Sequence, residues 1–247
     1  MKRKNFSKEV EKLFSVSRKI KDKVFSYEQI KNLPEPVQRY FRYALTDQCA
    51  YFSFIRLKHK GEFKVNNKWS KIKGEEYFTT ETPGFLWRGK LPLFTGSDRY
   101  IEGKGNLQIR LFSLIKIVDE KGAELNQGEL LRWLAEAPWY PTVLLPSDNL
   151  RWEEKDENSA KVIFTDNEIE VEGVFHFNSK GQAIKFEAKR YKDKELEDWI
   201  GYYYDYQMID RVRVPFYVEV GWNLDTGYEK YVKFQIKKIQ YGIPYKF

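Results

Sequence analysis

IGYYYDYQMIDRVRVPFYVEVGWNLDTGYEKYVKFQI, residues 200–236, reads as three alternating rows separated by two turns. Ile200, Tyr202, Tyr204, Tyr206 and Met208 form the first row, Val214, Phe216, Val218, Val220 and Trp222 the second, and Val232, Phe234 and Ile236 the third. A period of two places each row on one face of a strand. The turns are Asp210–Arg213 and Leu224–Gly227, too short for the crossover that parallel pairing requires. Upstream, Asn178–Gly181 is a further turn, followed by Ile184, Phe186 and Ala188; Ile169, Val171, Phe175 and Phe177 precede it, and Ile55, Leu57, Phe63 and Val65 repeat the pattern near the start. The expectation is an α+β, mainly antiparallel β fold of about ten strands from Tyr51 onward. A twisted sheet of that size with one apolar face is expected to curl into a half-barrel or close into a barrel.

Helical spacing appears in two places. Before Asp47, Val10, Leu13, Phe14, Ser17, Ile20 and Val24 recur at three- and four-residue intervals, with Ser7 as the expected N-cap; a short helix follows from Tyr27 behind Ser26, and another behind Pro34 and Pro36. Inside the strand region, residues 126–137 place Leu130, Trp133, Leu134 and Ala137 on one helical face, with Pro138 ending the run. This inserted helix is expected to plug the curled sheet, with Asn126 as N-cap and Glu129 at the third helical position of a capping turn. The expected organisation is a single structural domain, with residues 1–47 as N-terminal helices packed on residues 48–247.

Composition removes several classes of function. Of 247 residues, 42% are hydrophobic and 32% charged, and the mean hydropathy is negative, which excludes an integral helical membrane bundle. One cysteine, Cys49, cannot form an intrachain disulfide, and with only His59 and His176 there is no cluster for structural zinc; no metal and no cofactor are expected. The net charge of +7 is concentrated in residues 1–24, where nine Lys and Arg face Glu9, Glu11 and Asp22. The nearly neutral remainder speaks against nucleic acid as a partner. The basic segment offers peripheral contact with an anionic membrane, or simply a helix docked on the protein's own body. No apolar run ahead of Lys21–Lys23 is long enough for a signal peptide, so a cytoplasmic address is expected, with the membrane surface as its alternative.

Five blocks carry a resemblance: LPEPVQRYFRYAL (33–45), TPGFLW (82–87), DRYIEGKG (98–105), QGELLRWLAEAPWYPTVLLPS (127–147) and VPFYVEVGWNL (214–224). Together they are similar to an uncharacterised bacterial family known as a domain of unknown function, and this resemblance implies no activity. The order of helices, meander and inserted helix resembles the half-barrel of LolA and LolB lipoprotein carriers, which implies binding of a lipid-like molecule.

The candidate ligand-binding residues are Arg190, Glu129, Arg132, Trp87, Asp98, Tyr100, Trp139, Trp152, Tyr204 and Trp222. Arg190 continues the row of Ile184, Phe186 and Ala188, so its guanidinium is expected inward, where it needs a carboxylate such as Asp98, Glu102 or Glu129, or a ligand anion. Arg132 has Glu129 and Glu136 at helical spacing. The tryptophans serve either as packing or as a ligand platform. His59, on the row of Ile55 and Leu57, and His176, on the outward side with Glu170 and Glu172, read as structural. There is no nucleophile elbow and no phosphate loop, and Gly103-Lys104-Gly105 reads as a mid-strand bend. The function expected is non-catalytic binding of an apolar or amphipathic small molecule in the concavity of the sheet. The alternatives are a hydrolase or isomerase using the carboxylate pair Asp98 and Glu129, and a scaffold domain with a filled core.

Overall fold

The computed structural model describes residues 2–247, with side chains from Asn5 onward. The elements are α1 (Lys2–Ser15), α2 (Glu35–Ala44), α3 (Ala123–Ala135) and thirteen strands: β1 (Phe54–Val65), β2 (Lys68–Thr79), β3 (Gly84–Lys90), β4 (Phe94–Ile101), β5 (Lys104–Leu111), β6 (Ile115–Glu120), β7 (Leu150–Asp156), β8 (Ser159–Asp166), β9 (Ile169–Phe177), β10 (Ala183–Lys192), β11 (Glu195–Ile209), β12 (Val212–Leu224) and β13 (Gly227–Tyr241). The expected count of about ten strands is therefore three short, because β3, β4 and β6 lack clean apolar alternation. The sheet order is β6-β5-β4-β3-β2-β1-β13-β12-β11-β10-β9-β8-β7. It has two ends, β6 and β7, which corrects the closed-barrel alternative. Consecutive hairpins are antiparallel from β1 to β6 and from β7 to β12.

The chain divides into two compact units. The first comprises Met1–Lys21, Phe52–Trp133 and Phe234–Phe247; the second comprises Asp22–Tyr51 and Leu134–Lys233.

In the first unit the sheet is covered on both faces. Directly paired residues share a face, so Arg56, Tyr77, Leu86 and Arg99 form one cross-strand row, and Ile55, Phe78, Phe85 and Tyr100 form the next row on the opposite face. Helix α1 covers the first face. Its Phe6, Val10, Leu13 and Phe14 are buried against Phe54, Tyr77, Leu86 and Ile101, each contributing on the order of 1.5–3 kcal/mol. The apolar stripe read from sequence is thus used against the protein's own sheet rather than left for a bilayer. The helix begins ahead of Ser7, which lies inside it and is not the N-cap, and it ends at Ser15, so Ile20 and Val24 fall beyond it.

Helix α3 lies on the second face. It spans Ala123–Ala135 rather than 126–137, and Asn126 is an internal helical residue. Instead of capping, Asn126 Oδ1 accepts the Gly105 N–H at 2.8 Å, tying the helix to β5. Gly105 permits this approach, since a Cβ there would lie 2.8 Å from the Leu125 carbonyl oxygen. Glu102 and Gly103 form the left-handed turn between β4 and β5, with φ of 52° and 75°, so Gly103-Lys104-Gly105 is a hairpin corner and not a mid-strand bend.

In the second unit α2 packs over β8, β9 and β12. Tyr40 meets Phe177 at 5.5 Å between ring centroids, and Arg39 donates to the Glu157 carbonyl oxygen at 2.9 Å and to Asn158 Oδ1 at 3.2 Å. Val214, Phe216 and Val218 of β12 are buried as their alternation requires, but the opposing row on β11 is not the one expected. Tyr203 pairs with Val218 and Trp199 with Trp222, so Trp199 and Tyr203 are buried, while Tyr204 and Met208 are exposed. Both faces of β11 are aromatic, so alternation alone could not choose between them. The Tyr203 hydroxyl donates to the Ala135 carbonyl oxygen at 2.6 Å. On β10 the register shifts between Ala183 and Lys185, which leaves Ile184 exposed and out of the row of Phe186.

Candidate functional site

In the first unit the second face, which α3 covers, concentrates buried polar groups around that helix. Glu129, Arg132 and Trp133 stand at i, i+3 and i+4, on one side of the helix. Trp133 anchors it, donating Nε1–H to the Thr79 carbonyl oxygen at 3.0 Å. The Arg132 guanidinium then reaches two strands: Nη2 donates to Glu76 Oε1 and Nη1 to Asp98 Oδ2, each at 2.7 Å. Glu76 and Asp98 both pair with Trp87, so carboxylate, indole and carboxylate occupy one row across β2, β3 and β4. The Arg132 Cζ lies 4.7 Å from the Phe85 ring centroid and 5.5 Å from that of Trp87, completing the setting with aromatic faces. Glu129 is almost wholly buried beside the backbone of Gly105.

His59 extends the cluster along β1. It pairs with Gly74, and its ring occupies the space over that glycine, where a Cβ would come within 2.2 Å of Nε2. Trp87 Nε1–H donates to His59 Nε2 at 2.8 Å, so the imidazole proton resides on Nδ1. Phe234 stacks on the ring at 3.9 Å. Burial first, and the Arg132 cation second, lower the His59 pKa to about 3. Among the buried side-chain atoms of this region, His59 Nδ1, a donor, and Asp98 Oδ1, an acceptor, have no hydrogen-bond partner among the described residues.

The structure therefore brings together Trp87, Asp98 and Arg132 from the sequence-derived candidates, with Glu129 one helical turn away and Tyr100 fully buried on the adjacent row. It assigns Arg132 carboxylate partners that helical spacing did not indicate. Glu76 was missed entirely. In GEEYF it looks like one of two interchangeable surface acids, and only its pairing opposite Leu57 and Trp87 shows which of the two turns inward. The alternative catalytic pair, Asp98 and Glu129, comes from β4 and α3, with Asp98 held by Arg132.

The remaining candidates belong to the second unit. Trp139 donates to the Pro215 carbonyl oxygen at 2.9 Å and Trp152 to that of Leu144 at 2.8 Å. Both indoles thereby pin the 3-10 turns that follow α3. Trp222 stacks with Tyr231 at 6.2 Å, and Tyr204 is 44% exposed. Arg190 is half-buried, with its Cζ 4.9 Å from the Trp199 ring centroid, and stands opposite Glu197 in the ladder. His176 bonds Glu187 Oε1 at 2.8 Å. Among the described residues no group of three or more His, Cys, Asp or Glu is placed to hold a metal ion.

No curated protein matches the chain. Among solved structures it is similar to a domain assigned to outer membrane lipoprotein sorting from Vibrio parahaemolyticus, at 11% identity over 87% of this chain and 93% of that one, with a TM-score of 0.46. It is also similar to a LolA superfamily protein from Nitrosomonas europaea, at 9% identity over 83% and 91%, with a TM-score of 0.45. A third likeness is to a DUF1329 family protein from Desulfovibrio piger, at 8% identity over 96% and 93%, with a TM-score of 0.45. Residues 23–234, most of the chain and all five sequence blocks, match the family of unknown function DUF6544, and the chain belongs to that family.

Proposed function

We propose that the protein binds an amphipathic small molecule on the α3-covered face of its first unit, with the apolar part against Trp87, Phe85 and neighbouring aromatic rings and a polar head group at Asp98 and His59. The observation that carries this reading is the pair of unpartnered buried atoms, Asp98 Oδ1 and His59 Nδ1. Leaving a buried donor or acceptor unpaired costs on the order of 1–3 kcal/mol each. A head group that both donates and accepts, such as a hydroxyl or an amide, offsets that cost on binding. The aromatic faces around Arg132 supply the apolar wall. Glu76 and Asp98 hold Arg132, so this cation serves to fix the acceptor geometry of Asp98. No chemical step is needed for this role.

Solvent extraction of the purified protein, followed by mass spectrometry, tests the reading. The expected result is a copurifying species with an apolar chain and a neutral polar head, lost from both Asp98→Asn and His59→Phe while circular dichroism shows the fold retained. An empty extract, together with no uptake of a fluorescent fatty alcohol by the native protein, overturns it. Turnover of an ester or glycoside abolished by Glu129→Gln in the folded protein overturns it in favour of catalysis.

A further inference from the structure

A second feature of the first unit lies on its surface, away from the buried cluster. Following the cross-strand pairs gives one continuous row: Lys60 faces Lys73, Lys73 faces Lys90, Lys90 faces Thr95, Thr95 faces Arg110, and Arg110 faces Lys116. Directly opposed residues share a face, so five of six neighbouring strands present a cation on the same side of the sheet. Neighbouring strands are about 4.8 Å apart, which gives the row a length of roughly 24 Å. Like charges placed directly opposite one another destabilise a sheet. Here Lys60, Lys73 and Lys90 are exposed and have no ion pair among the described residues; only Lys116 is matched, to Asp119 at 2.5 Å.

The row ends beside an apolar knuckle. Leu93 lies in the β3–β4 turn, three residues beyond Lys90, and Phe112 and Leu114 lie in the β5–β6 turn, just beyond Arg110. The two turns are bound to each other: the Phe112 N–H donates to the Leu93 carbonyl oxygen at 2.7 Å, and the Thr95 and Ser113 hydroxyls are 2.6 Å apart. Leu93, Phe112, Leu114, Ile115 and Ile117 are all more than half exposed. Phe112 and Ser113 both hold positive φ, at 49° and 57°, a conformation that Asn and Gly adopt far more readily. A bulky apolar residue is thus kept at an exposed corner that suits it poorly.

We propose that this knuckle and its lysine row dock on a membrane surface rich in anionic phospholipid. Charge complementarity selects the occupant. The cations meet the head groups, while the exposed leucine and phenylalanine side chains of the two turns enter the boundary between head groups and acyl chains. A nucleic acid would match the row but leave the apolar corner in water, and a second copy of the chain, pairing along edge strand β6, would oppose the same cations to one another. The inference does not depend on the buried site.

Co-sedimentation of the full-length protein with vesicles tests it, using phosphatidylcholine alone and phosphatidylcholine mixed with phosphatidylglycerol. Binding is expected only to the mixed vesicles and is expected to fall as salt rises. Lys73→Gln and Lys90→Gln should each weaken it about fivefold, from the usual worth of a cation near an anionic surface, and Phe112→Ser should abolish it with thermal unfolding unchanged. No binding to mixed vesicles, or binding that all three variants retain, overturns the proposal. Binding to a short RNA duplex in place of vesicles, or a native dimer that Phe112→Ser converts to monomer without any vesicle binding, overturns it equally.

Discussion

His59 shows how a single side chain ties packing to solution behaviour. An imidazole in the unfolded chain titrates near 6.5, whereas the folded protein holds His59 at about 3 through burial and the nearby Arg132 cation. Below the unfolded value the unfolded chain takes up a proton that the folded chain refuses. The stabilisation is therefore complete above about pH 6.5 and drains away as the pH falls toward 3. By about pH 5 the loss is about 2 kcal/mol. Urea denaturation at about pH 7.5 and about pH 5 should show this loss in the native protein. In His59→Phe, which keeps the stack on Phe234 but has nothing to titrate, the loss attributable to this site should vanish, and an unchanged pH slope would refute the assignment. The inward position of His59 was legible from its place on the row of Ile55 and Leu57. Its partner Trp87 was not, because their meeting depends on the glycine at position 74 of the strand between them.

Among the elements, α3 was recognisable from Leu130 and Trp133, yet its beginning was misplaced by three residues. Asn126 has the chemistry of an N-cap, and the helix uses that chemistry differently, to hold the Gly105 N–H of a strand distant in sequence. Gly105→Ala tests this docking. The added Cβ meets the backbone oxygen of Leu125, which cannot rotate aside as a side-chain tip would, so α3 must shift. A loss of roughly 2 kcal/mol is expected, within the usual range for overpacking, read as a lower urea midpoint with an unchanged slope. A midpoint equal to that of the native protein would show that the helix does not rest on this strand. The β11 misreading has a related origin. Trp199 and Tyr203 on one face and Ile200, Tyr202 and Tyr204 on the other are almost equally apolar, and the choice was made by pairing with Val218 and Trp222 of β12.

For the molecule as a whole, the sheet order places the last strand in the middle. β13 lies between β1 and β12, so the hairpins that precede it in sequence remain incomplete until the end of the chain arrives. Such non-local pairing must overcome loop-closure entropy before it contributes contacts. A chain lacking Gly227–Phe247 should therefore lose cooperative urea unfolding by circular dichroism, whereas a chain lacking an edge contribution would merely weaken. A cooperative transition of native amplitude in the shortened chain would show that β13 is dispensable.

Strand type, antiparallel connection by tight turns, the inserted helix and the exclusion of a disulfide framework follow from periodicity, turn residues and composition, all of which act within a few neighbouring residues. The number of strands, the buried face of β11, the central place of β13 and the meeting of Glu76, Asp98 and Arg132 rest on register between strands far apart in sequence. Local chemistry dictates which conformation a segment adopts. Which of two similar faces is buried, and which carboxylate meets which cation, depends on partners that only folding brings within reach.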